Sequence, residues 1–143
     1  MTMIQPDHAE EPQCGARILV IDDALTVRLF CKQLLTGAGF RVTEAINGLE
    51  ALEIALQEEF DLFLVDINMQ KMDGYAFLSE ARRHAGLADV PAIMMSTEAG
   101  AEDVSRAWNA GANFYLFKPL DPERLVTAAR LMTGTMMMGS LPL

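Results

Sequence analysis

Apolar residues alternate along the chain between two rhythms. Five short segments rich in β-branched and aromatic residues start at positions 17, 40, 61, 90 and 113: RILVID (Arg17 to Asp22), FRVTEA (Phe40 to Ala45), DLFLVD (Asp61 to Asp66), VPAIMM (Val90 to Met95) and NFYLF (Asn113 to Phe117). Between them run stretches with the 3.6-residue period of amphipathic helices. The spacing suits a strand plus a crossover helix, which a parallel strand pair requires. Three of the strands are nearly continuous apolar runs, as expected where helices cover both faces of a sheet. The pattern predicts an α/β fold: a doubly wound, five-stranded parallel sheet of order 2-1-3-4-5 with five helices, in three α/β/α layers.

Each helical stretch carries an apolar stripe. The first shows Val27, Phe30, Cys31, Leu34 and Leu35 at helical spacing and ends at Gly37 and Gly39. The second follows Asn47-Gly48 with Leu49, Leu52 and Leu56; the third follows Asp73-Gly74 with Phe77, Leu78 and Ala81. The last has Asp121 as its cap, Pro122 at its first position, and Leu125, Ala128, Ala129 and Met132 on one face. The domain is expected over 17–133, with an N-terminal extension 1–16 and a methionine-rich tail 134–143 that reads as a flexible end or part of a contact surface.

Composition narrows the function. The 143 residues hold 11 Lys and Arg against 20 Asp and Glu, a formal charge of −9, and 51% are apolar. Acidity without a basic run argues against nucleic-acid or anionic-membrane binding. Apolar runs fall far short of a membrane span, and the N-terminus lacks the basic and apolar regions of a secretion signal, so a cytoplasmic location is expected. Cys14 and Cys31 have neither metal-ligand spacing nor disulfide density and read as reduced thiols.

In a doubly wound sheet, chemistry gathers outside the carboxyl ends of the strands. There the first strand delivers Asp22 and Asp23, the third Asp66, the fourth Ser96 and Thr97, and the fifth Lys118 and Pro119, while the second offers no comparable concentration. With the first and third strands adjacent, three carboxylates meet and raise one another's pKa. A divalent cation relieves that repulsion, and all-oxygen ligation selects a hard ion, Mg²⁺. Asp66 can then attack a phosphoryl group whose charge the metal and Lys118 offset, with Ser96 as a hydroxyl donor.

Four stretches, ILVIDD (18–23), LVDINMQKMDG (64–74), IMMSTEAG (93–100) and AGANFYLFKP (110–119), give the chain its resemblance to the response-regulator receiver domain of two-component signalling, in its single-domain, CheY-like form. The resemblance implies that Asp66 is the phosphorylated aspartate. It makes Asp22, Asp23, Asp66 and the backbone carbonyl of Asn68 the Mg²⁺ ligands, and Lys118 the phosphoryl contact, joined to Pro119 by a cis bond. Ser96 and Tyr115 become the switch pair, and Asn68 and Glu98 the positions that tune phosphoryl lifetime. Gly100, Val104, Trp108, Ala112, Tyr115 and Ala128 fall on the output face. Gln70 departs from the family's frequent proline and implies a less rigid loop; Ile67 stands where some chemotaxis relatives have tryptophan. Periodicity alone makes Trp108 a core residue, whereas the resemblance exposes it.

The expected partners are a histidine kinase as phosphodonor and a protein output target or histidine phosphotransfer protein, with phospho-dependent homodimerisation as a further possibility. No output domain is expected after residue 133, so the first reading is a stand-alone, chemotaxis-like response regulator. A phosphorelay intermediate or phosphate sink, and a receiver excised from a larger transcriptional regulator, are the alternatives. A turnover phosphatase would need a second acid two residues after Asp66, where Asn68 stands; the chain is expected not to be an enzyme.

Overall fold

A computed structural model describes residues 15–135; Cys14 with the rest of the extension before residue 15, and the tail from residue 136, lie outside the described residues. Strands β1 (Arg17–Ile21), β2 (Arg41–Ala45), β3 (Leu62–Asp66), β4 (Ala92–Ser96) and β5 (Phe114–Phe117) alternate with helices α1 (Leu25–Gly37), α2 (Gly48–Gln57), α3 (Gly74–Ala81), α4 (Ala101–Ala110) and α5 (Pro122–Thr133). All pairings are parallel and the order is β2-β1-β3-β4-β5. This is the expected doubly wound architecture of order 2-1-3-4-5, a flavodoxin-like fold.

Successive strand residues point to opposite faces, so one strand feeds two cores. Leu19, Ile21, Phe63, Val65 and Met94 pack with Ala51 and Ala55 of α2, Phe77 and Leu78 of α3 and Ala107 of α4. Ile18, Val20, Leu62, Leu64, Ile93 and Met95 pack on the other face with Cys31 and Leu35 of α1 and Leu125 and Ala129 of α5. Burial, then the Asp22 charge, push the Cys31 thiol up to about 12, so it is a protonated core residue.

Capping follows the sequence signals. Asn47 Oδ1 accepts from the Glu50 amide at 2.8 Å while Glu50 Oε1 accepts from the amide of Ile46, the residue before the cap, at 2.7 Å, and together they start α2. Asp73 and Asp121 cap α3 and α5 by accepting from the Ala76 and Arg124 amides. Proline at position 91 precedes β4, and its carbonyl still accepts from the Phe63 amide; the strand therefore begins at Ala92, two residues later than the apolar pattern suggests.

Two apolar stripes are corrected. Phe30 of α1 is exposed, and in α2 Leu49 and Leu56 are about half exposed, at 49% and 54%. The buried face of α2 is Gly48, Ala51 and Ala55, with Leu52 and Ile54 partly covered. The reason is close approach: a Cβ at Gly48 would collide with the Met72 carbonyl oxygen, so this helix lies too near its neighbours for leucines at the contact. Ala51→Leu should overpack that contact and cost about 1–3 kcal/mol, whereas Leu49→Ala should stay within roughly 0.5 kcal/mol. Urea unfolding midpoints with unchanged slopes would measure both; equal costs would place the contact face elsewhere.

Candidate functional site

Four strand ends converge above the sheet. β1 runs into Asp22 and Asp23, β3 ends on Asp66, β4 ends on Ser96, and β5 leads into Lys118. Asp22, Asp66 and Ser96 are buried, while Asp23 is exposed at the mouth. Lys118 Nζ donates to Asp22 Oδ2 at 2.8 Å and to Asp66 Oδ1 at 2.9 Å. The second Asp22 oxygen accepts from the Ala24 amide at 2.8 Å, just before α1. The peptide bond from Lys118 to Pro119 is cis, as the resemblance implied.

Oxygens of Asp22, Asp23 and Asp66 lie within 4.8 Å of one another, a group able to hold a metal ion. The set is all carboxylate and fits a hard divalent cation. The Asp66 carboxyl is raised to about 6: burial is the main cause, the Lys118 hydrogen bond lowers it, and Asp22 and Asp23 raise it. The crowding of carboxylates expected from the sequence is real, but desolvation outranks it. Burial, the largest single effect, works against the Lys118 charge, yet the hydrogen bonds to Asp22 and Asp66 and the charges of both carboxylates together outweigh it and lift the ammonium pKa.

On the other side of the pocket, Ser96 Oγ accepts from the Glu98 amide at 2.9 Å, and the Tyr115 hydroxyl donates to the Glu98 carbonyl at 2.8 Å. Serine and tyrosine thus grip one residue of the loop entering α4. Tyr115 is turned inward, and burial, first among its causes, raises its pKa. The side chains of Asn68 and Glu98 are exposed.

Three features escape sequence reasoning. Arg28 of α1 donates to the Asp22 carbonyl at 2.8 Å and pairs with Glu44 at 3.0 Å, so the end of β2, which carried no evident chemistry, holds the arginine that braces the acid pair. Gly74 is a cradle: a Cβ there would collide with the Asp66 carbonyl oxygen, and its amide donates to the Ile67 carbonyl at 2.9 Å. The loop with Gln70 is pinned rather than loose, because the Gly48 and Leu49 amides donate to the Met72 and Lys71 carbonyls at 3.0 and 3.3 Å. A signal existed only for Gly74, as a glycine opening a helix.

The expected output face is half corrected. Trp108 is 45% exposed, which decides against the core reading; Gly100 is exposed and Val104 partly buried. Ala112, Tyr115 and Ala128 are buried, because Ala128 shares the sheet-facing side of α5 with Leu125 and Ala129, and Ala112 closes α4 onto β5. The apolar side chains that do reach solvent there are Phe114, Phe117 and Leu131, lining a groove of about 620 Å³ between β5 and α5. Along β5 the pattern is exposed–buried–buried–exposed, with the two phenylalanines at its ends outermost.

No helix among the described residues is long and apolar enough to cross a membrane. The family model of the response regulator receiver domain matches residues 18–130. The chain is 33% identical over 121 residues to chemotaxis protein CheY1 of Helicobacter pylori, covering 83% of this chain and 98% of the relative. It is 34% identical over 110 residues to the probable transcriptional regulator ycf29 of Porphyra purpurea, covering 77% of this chain and 53% of the relative. The crystal structure of chemotaxis protein CheY4 of Vibrio cholerae superposes with a TM-score of 0.79 at 32% identity, over 82% of this chain and 98% of that one. The chain spans about half the length of the first curated relatives it matches and nearly all of the chemotaxis proteins. The family match runs through every strand end that builds the acid pocket, and the chain belongs to the response regulator receiver domain family of two-component signalling, in its CheY-like form.

Proposed function

We propose that Asp66 accepts a phosphoryl group from the phosphohistidine of a histidine kinase and that the acyl phosphate switches a protein contact made around α4 and β5. The observation that carries this is the double hydrogen bond of Lys118: it holds Asp66 Oδ1 in a buried pocket and leaves Oδ2 to attack. In the transfer an oxygen–phosphorus bond forms, the phosphorus–nitrogen bond breaks, and the imidazole nitrogen keeps the electron pair. Asp22, Asp23 and Asp66, with the Asn68 backbone carbonyl, would hold Mg²⁺, which supplies positive charge to the pocket when bound. Lys118 moves its ammonium from Asp66 to the new phosphoryl oxygens, and Ser96 turns its hydroxyl from the Glu98 amide to donate to them. Tyr115, held to the same residue, follows.

The resulting signal is read by a protein target, a histidine phosphotransfer protein or a second copy of the chain. The reading is chemotaxis-like, cytoplasmic and without enzymic turnover, since Asn68 offers no acid where a phosphatase of this type needs one. Net charge of −9 argues for protein rather than nucleic acid as the target.

With Mg²⁺ and acetyl phosphate, intact-mass measurement should show one added phosphoryl group, lost on mild base treatment. Asp66→Asn should abolish it; stoichiometric labelling of that variant would overturn the assignment. Titration gives a second check. The Asp66 pKa is raised in the folded protein, so its protonated form is favoured there and the unfolded chain ionises first. With EDTA present, this residue should lower stability progressively as pH rises from about 4 to about 6. Asp66→Asn should flatten that part of the stability profile by on the order of 1 kcal/mol or more, read from urea unfolding; a profile identical to the parent's would refute the raised pKa. Trp108→Ala, at a half-exposed site, should cost less than about 1 kcal/mol while weakening phospho-dependent association in sedimentation or pull-down with the cognate target. A stability loss of several kcal/mol, as for a buried tryptophan, would return Trp108 to the core.

A further inference from the structure

Helix α4 is lightly anchored. Its buried side chains are two alanines, Ala107 and Ala110, with Val104 partly buried against the core, whereas the shorter α3 buries Gly74, Tyr75, Phe77, Leu78 and Ala81. An open cleft of about 390 Å³, with Ser79 and Asn109 on its two walls, separates the outer sides of α3 and α4. Two aromatic hydroxyls bridge to α4 and its entry. One is Tyr115 on the Glu98 carbonyl. The other is Tyr75, the second residue of α3, which is buried. Its hydroxyl lies 3.4 Å from the Asp103 carbonyl in the first turn of α4, and the Arg106 guanidinium sits 4.1 Å over its ring.

Tyr75 is also mechanically close to Asp66. It follows Gly74, whose backbone is pressed against the Asp66 carbonyl and hydrogen-bonded to Ile67. A movement of the Asp66–Ile67 backbone cannot be absorbed by a side chain at position 74, because there is none; it passes to the first turn of α3, where Tyr75 holds α4. The cation–π contact and the long hydroxyl contact are each weak, so this hold can be released by a small displacement.

We propose that Tyr75 is a positioning residue that couples the phosphoacceptor to α4, acting beside Ser96 and Tyr115, through its ring under Arg106 and its hydroxyl at Asp103. The coupling rests on the phosphoacceptor reading above; the latch itself, a contact that restrains α4 in the unmodified protein, does not. Coupling of this kind requires α4 to have two discrete arrangements that both contacts bias.

The test is amide hydrogen exchange by mass spectrometry on the full chain, before and after labelling with Mg²⁺ and acetyl phosphate. The variants are Tyr75→Leu and Arg106→Ala; Arg106 is exposed, so its truncation leaves the core intact even if Tyr75→Leu fails to fold. In unlabelled protein, exchange over residues 101–110 should accelerate roughly three- to fivefold in Arg106→Ala, and at least as much in Tyr75→Leu, with β1 and β3 unchanged. The difference that labelling makes to α4 exchange should shrink by more than half, with labelling still stoichiometric. Wild-type rates over 101–110 in unlabelled Arg106→Ala would overturn the latch, and an undiminished labelling response would overturn the coupling. Failure of the wild-type chain to label would instead overturn the phosphoacceptor reading, and the unlabelled comparison would still decide the latch.

Discussion

Lys118 reaches from the edge strand β5 across the carboxyl ends of the sheet to two buried carboxylates, 2.8 Å from one and 2.9 Å from the other. Burying a carboxylate without a partner is expensive, and burying two side by side more so. The parallel order that makes β1 and β3 neighbours forces Asp22 and Asp66 together, and the lysine makes this tolerable. It does so incompletely, since the Asp66 carboxyl still sits at about 6. The pocket holds three carboxylates against one ammonium, the electrostatic condition that favours entry of a hard cation; an anionic phosphoryl group gains from entering only once such a cation has offset the excess.

That unsatisfied charge is set in a rigid frame. β1, β3 and β4 are buried on both faces, and Arg28 ties the Asp22 backbone to Glu44 on β2. Flexibility is displaced to the other side of the site. The loop from Ser96 to Gly100 is exposed after its first residue, and α4 behind it is held by two alanines, the partly buried Val104, hydroxyl contacts and Arg106 over Tyr75, with no large side chain fully buried. A change of charge at Asp66 therefore meets strong resistance from the sheet and little from α4, which decides the direction in which the structure can respond.

The same contrast explains what was legible in the sequence. Strand segments covered on both faces must be apolar throughout, so β1, β3 and β4 were readable within a residue or two, and the polar residues ending them stood out against that background. The acid cluster and Lys118 followed from topology, because strand order brings their positions together whatever the details of packing. Helix faces were less readable. In α2 the leucines suggested one face, but the backbone approaches its neighbours too closely for them, and alanines took the contact. The brace from Arg28, the cradle at Gly74 and the contact of Tyr75 depend on distances between elements that no periodicity records. The output face was placed by family position, which does not distinguish Trp108, exposed at the surface, from Ala128, turned toward the sheet.

The loop behind Asp66 shows how the frame and the site are built from the same groups. Lys71 and Met72 both adopt left-handed backbone, with φ of 53° and 75°, a conformation costing a non-glycine residue about 1 kcal/mol or more. Their carbonyls are the acceptors for the first amides of α2, donors that any helix N-terminus leaves without an intrahelical partner. Satisfying those amides offsets the strain of the turn, and the turn places Gly74 under Asp66. Gly48 allows α2 to come close enough for this exchange, since any side chain there would meet Met72 first. A proline at position 70 would restrict one φ angle; two hydrogen bonds from the α2 amides to the loop carbonyls restrict the whole segment, which is why Gln70 can stand in this loop without loosening the acceptor.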